Sequence, residues 1–133
     1  MKLSTINTIA GILSGMKLNK ISDKKGKSAL LKNYLALRKA LKQAQEDQQE
    51  IVRKFQDDWK DELAEVEAFR KESKPVVGHE DYLEAEVDAN KAIRDIFEQE
   101  VDLTLSPVKI DIFVDEELTL EQLALLEENG LIE

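Results

Sequence analysis

Residues 28–73 read SALLKNYLALRKALKQAQEDQQEIVRKFQDDWKDELAEVEAFRKES. Leu30, Tyr34, Leu37, Leu41, Ala44, Gln48, Ile51 and Phe55 follow one another in alternating steps of four and three, the seam of a heptad helix. Beyond Phe55 the seam drifts through Trp59, Leu63 and Val66, as at a stutter. The spacing predicts a long helix over 28–72. Its middle is weakly apolar at Ala44 and Gln48, which leaves room for a kink or break near Gln43–Gln49. Pro75 disfavours helical geometry at Lys74 and ends the run in a PVVG turn.

A second helix is predicted over 80–100, with Leu83, Val87, Asn90, Ile93 and Phe97 on one face. Folded back as a hairpin, it sets Leu83, Val87 and Phe97 against Trp59 and buries that tryptophan. At about 1.5 Å per residue the first helix spans roughly 67 Å and the second roughly 32 Å. The shorter arm therefore leaves Leu30, Leu31, Tyr34, Leu37 and Leu41 bare. A helix over 3–16, with Ile6, Ile9, Ala10, Leu13 and Met16 on one face, is one cover. A second copy of the chain is another.

The C-terminal third poses the same question. Val101, Leu103 and Leu105, then Val108, Ile110, Ile112 and Val114, alternate with other residues at the period of a strand. Pro107 belongs at a strand edge or start. Two strands this short are marginal alone, so the 101–114 segment is expected to lie on helices or pair with another copy. A terminal helix over 120–128 follows. Thr119 and Gln122 are placed for a capping box, and Gly130 for a left-handed cap that returns Leu131 onto Leu126. Leu120, Leu123 and Leu126 are expected to close over the extended segment.

The net charge of -9 is unevenly spread. Residues 1–45 hold ten Lys or Arg and one acid, Asp23; residues 46–133 hold nine and 27. Such polarity serves docking within the fold, head-to-tail association or a polyanionic partner. The Lys17, Lys20, Lys24, Lys25, Lys27 and Lys32 stretch is a candidate contact for a protein partner or nucleic acid. It carries no arginine and Tyr34 is its only aromatic neighbour, so base stacking is poorly provided for.

Cysteine is absent, which excludes disulfides, cysteine-bound zinc and a thiol nucleophile. His79 is the only histidine, so neither a His-based metal site nor a Glu-x-x-His di-iron bundle can form. It reads as a solvated residue at the start of the second helix. KKGKS at 24–28 lacks the earlier glycine and the preceding strand of a phosphate loop. No run approaches a membrane span of about 18 apolar residues. The apolar run Ile6–Leu13 is too interrupted for a leader and reads better as a helix face. No catalytic, cofactor or metal residue is assigned.

The MKL start, the lead into ALLKNYLALRKAL, the charged helical middle, EQEVDLTLSPVKIDI and the ending LTLEQLALLEENGLIE together span nearly the whole chain. The layout resembles small uncharacterised phage and prophage proteins found among virion and tail-assembly genes. That resemblance implies a non-enzymatic, chaperone-like assembly or structural role among other phage structural proteins, in the host cytoplasm or the virion.

The expectations are therefore specific. The fold class is mainly α: one domain over 1–133, a long helical hairpin, a short N-terminal helix, a small C-terminal β segment and a short terminal helix. A homodimer is expected, joined through Leu30, Tyr34, Leu37, Leu41, Val108, Ile110 and Ile112. The alternative is a small nucleic-acid-binding protein using Lys17–Lys32.

Overall fold

The computed structural model describes every residue from Met1 to Glu133. The chain is mainly α and contains a long helical hairpin. Its helices are α1 (Leu3–Ser14), α2 (Lys24–Asp58), α3 (Lys60–Lys71), α4 (Glu80–Phe97) and α5 (Leu120–Glu128), with 3-10 turns at Leu18–Lys20 and Ile110–Phe113. No helix is long and apolar enough to cross a membrane.

The fold divides into two compact units, 1–42 with 99–133, and 43–98. The division falls at the weakly apolar stretch of the seam. Helix α2 runs through that stretch, so no break falls at Gln43–Gln49. The break comes at Trp59, where the seam drifts. There φ is -121° and ψ 21°, and the helical ladder resumes from the Trp59 carbonyl. Asp61 and Glu62 then favour a new helix N-terminus.

In the first unit, α2 starts at Lys24 rather than Ser28. Asp23 caps it, accepting from the Lys25 N–H at 3.1 Å. Gly26 thus lies inside a helix, where glycine costs about 1 kcal/mol relative to alanine. Packing explains it: a Cβ there would collide with the Ile112 side chain. The seam residues Leu30, Leu37 and Leu41 are buried, as are Leu3, Ile6, Ile9 and Leu13 of α1, which packs on α5. The capping box of α5 is present, with Thr119 accepting from the Gln122 N–H and Gln122 accepting from the Thr119 N–H. At its other end Gly130 takes φ 82°, and the Leu131 N–H returns to the Leu126 carbonyl at 2.9 Å.

The predicted β segment over 101–114 is not a sheet. Isolated bridges join Lys2 to Glu100 and Val108 to Ile132. The Val101 N–H donates to the Met1 carbonyl at 2.8 Å and the Val108 N–H to Leu131 at 2.7 Å. Asn33, buried on α2, clamps the segment between them. Its amide donates to the Ser106 carbonyl and accepts from the Ser106 N–H, both at 2.8 Å. The second predicted strand instead turns into a 3-10 helix because Phe113, off the alternating pattern, takes the buried place. An aromatic ring buries more apolar area than Ile110 or Val114, which are left exposed. With no partner strand, the 3-10 turn satisfies backbone groups locally.

The second unit holds the rest of α2 with α3 and α4. Tyr82 is its centre, 5.1 Å from Phe55 and 5.9 Å edge-on to Trp59 between ring centroids. Trp59 is therefore half-buried against Tyr82; of the expected face, Leu83 and Phe97 are half-buried and Val87 is corrected, being exposed. Helix α3 ends with Ser73 at φ 56°, its N–H on Arg70 and the Lys74 N–H on Phe69, a left-handed cap built without glycine.

Candidate functional site

Two sets of side chains in the first unit were singled out by sequence. The self-association set is mostly interior: Leu30, Leu37, Leu41 and Val108 are buried by the chain itself. Ile112 is half-buried over Gly26, Tyr34 is half-buried, and Ile110 is exposed. The backbone at Val101 and Val108, which strand pairing between copies would need, already bonds to the chain's own terminal residues.

The lysine set separates into two environments. Lys24, Lys25 and Lys32 border one shallow groove with Ser28 and Ser106. Lys20 instead shares a hollow with Asp23, Lys109, Asp111, Asp115 and Glu116, where acids outnumber bases. Lys17 precedes the 3-10 turn, and Lys27 is half-buried in the first turns of α2. That helix start has no acid in its first turn, so Lys24, Lys25 and Lys27 oppose the helix dipole, offset only by the Asp23 cap.

A further feature was caught only in part by the sequence, which marks Leu31 as uncovered but neither Leu35 nor a hollow. Leu13, Met16, Leu18, Leu30, Leu31 and Tyr34 line an apolar hollow of about 220 Å³. Leu31 is 45% exposed at its lip, and Leu35, one turn along α2, is 56% exposed. The Arg38 guanidinium stands 5.9 Å over the Tyr34 ring and sets a cation at the rim. From residue 24 to 42 there are seven Lys or Arg and no acid. The face is thus apolar at its centre, with Arg38 at its rim and further bases along the same helix. Its signal was available: Leu31 and Leu35 are four apart, one position off a seam already filled, so they widen the apolar stripe beyond what the interior needs.

The second unit carries the polar cluster with perturbed ionisation. Arg70 donates to both carboxylate oxygens of Glu86, at 2.9 and 2.6 Å. This fork lowers the Glu86 carboxyl below its ordinary value and raises Arg70. Burial, then the Glu86 charge, raises the neighbouring Tyr82 hydroxyl. His79 is not solvated as expected. Its Nδ1 lies 3.1 Å from Glu62 and its Nε2 3.1 Å from Glu65, against the Phe69 ring. Each ring nitrogen thus faces one carboxylate, and the pair of contacts joins the His79 turn to α3.

No family model matches the chain, and neither the curated proteins nor the solved structures contain a significant match.

Proposed function

We propose that the chain is a non-enzymatic assembly or structural protein of the phage type, with a chaperone-like role exercised through protein–protein contacts. The observation that supports this reading is the exposed pair Leu31 and Leu35 beside the apolar hollow. Large apolar side chains grouped at a hollow and rimmed by charge mark association surfaces. The sequence resemblance to virion and tail-assembly neighbours supplies the setting. The test is genetic: a stop codon introduced at Ser28 of the gene in its own genome, with particles counted by electron microscopy. Loss or malformation of particles, restored by the intact gene but not by a Leu31→Glu, Leu35→Glu variant, is the expected result. An unchanged yield of infectious particles overturns it.

A second reading rests on Lys24, Lys25 and Lys32 around one groove. These three can neutralise phosphates, with an affinity that falls as salt rises by roughly one counterion for each phosphate engaged. Mixed-sequence DNA is the probe. A shift at low salt that Lys24→Glu, Lys25→Glu and Lys32→Glu abolish favours nucleic acid; no shift removes that reading.

A further inference from the structure

A second apolar surface in the same unit has the opposite charge. Ile110 is 53% exposed, Val114 70% and Leu120 85%. They lie within eleven residues, and from 110 to 121 the chain holds five acids and no base. Asp111, Asp115 and Glu116 are partly offset by Lys20 and Lys109 in their hollow. Glu117 and Glu121, exposed on either side of Leu120 in sequence, lie outside it.

We infer that the occupant of the basic-rimmed face is a second copy of this chain, presenting residues 110–121. Leu31 and Leu35 would receive Leu120 and Val114, and the Lys and Arg side chains around them would face Glu117, Glu121 and Asp115. Like-with-like contact sets bases against bases, or acids against acids, and is repelled. The complementary arrangement brings opposite charges together on both rims, and apolar groups meet at its centre. Complementary rims of this kind set register and partner choice more than affinity. The two surfaces are different parts of one unit, so the contact is heterologous. It propagates head to tail into a ring or filament unless it closes reciprocally as a pair. This inference deepens the assembly reading and rests on it.

The experiment uses full-length chains in sedimentation at about 100 µM, where a contact with a Kd of roughly 10 µM is mostly formed. Wild type is expected above its 15.1 kDa monomer mass, and association should weaken by about tenfold or more in high salt as the rims are screened. Leu31→Glu with Leu35→Glu removes one surface; Val114→Lys with Leu120→Lys removes the other. Each variant, its helix content checked by circular dichroism, should be monomeric alone. Mixed, they retain one good surface each and should form a one-to-one pair. Because these side chains are exposed, folding should survive; if a variant fails to fold, Lys32→Glu and Glu121→Lys replace the pairs. A monomeric wild type, variants that still self-associate, or folded variants that do not combine overturn the inference. Because particle yield is measured separately, a monomeric protein whose loss still blocks assembly sinks the self-contact alone.

Discussion

The two units are stabilised by different means. Of the eighteen buried apolar residues, fifteen lie in the unit that contains both terminal segments, and only Ala44, Val66 and Tyr82 lie in 43–98. The first unit has an aliphatic core closed by backbone bonds at Met1, Val101, Val108 and Leu131. The second has half-buried aromatics around Tyr82 and surface ion pairs, which contribute little individually. The segment 43–98 should therefore open at lower free energy than 1–42 with 99–133. Trp59, the only tryptophan, sits in the weaker unit and reports it alone.

The largest expected effect follows from that contrast. Leu37 is fully buried, so Leu37→Ala should cost about 2–5 kcal/mol, read from denaturant unfolding followed by circular dichroism. Val87→Ala, at a position the sequence placed in the hairpin core, should change stability by no more than about 0.5 kcal/mol. Comparable losses at the two sites would mean that the register around Tyr82 is wrong and the contrast between units is false. Amide exchange gives an independent reading: α4 should exchange faster than α1.

What the sequence made legible was whatever depended on period and local chemistry. The seam from Leu30 to Leu41 is interior, the 120–128 helix has its stated caps, and α4 begins at Glu80 as read. Tertiary choices were not legible. The helix was expected from 28, beyond Gly26, because nothing local shows that Ile112 packs over that glycine. The alternation over 108–114 promised a strand because period counting cannot weigh one buried Phe113 against three aliphatics. The association surface was assigned to the seam, since a bare length argument could not tell that the chain covers its own seam and leaves Leu31 and Leu35 outside.

An intermediate effect probes how the first unit holds its extended segment. Asn33→Ala removes both partners of the Ser106 backbone at once. Because Asn33 is buried and its bonds are 2.8 Å, the expected cost is about 1–3 kcal/mol, measured by chemical denaturation. Asn33→Asp keeps the acceptor but turns the donor into a second acceptor facing the Ser106 carbonyl, and should be no better than alanine near neutral pH. If either variant is as stable as wild type, the segment is held by Leu105 and Val108 burial alone, and the aliphatic side of the comparison is stronger than stated.

The smallest effect belongs to the second unit and depends on pH. The Arg70 fork holds the Glu86 carboxyl below its ordinary value of 4.5. A carboxyl with a lowered folded value stabilises the fold above the unfolded value, and that contribution is lost as pH falls through the folded value. Glu86→Gln should therefore destabilise relative to wild type at pH 7, and the difference should shrink below about pH 4.5 as wild-type Glu86 takes up its proton. Arg70 is half-exposed, with 47% of its side chain accessible, so the pH 7 difference should stay under about 1 kcal/mol. The readout is Trp59 emission during urea unfolding, since Trp59 and Glu86 share the second unit around Tyr82. A difference that persists unchanged at pH 3 would assign the loss to packing of the Glu86 stem against Tyr82 and remove the ion pair from the account of what holds this unit.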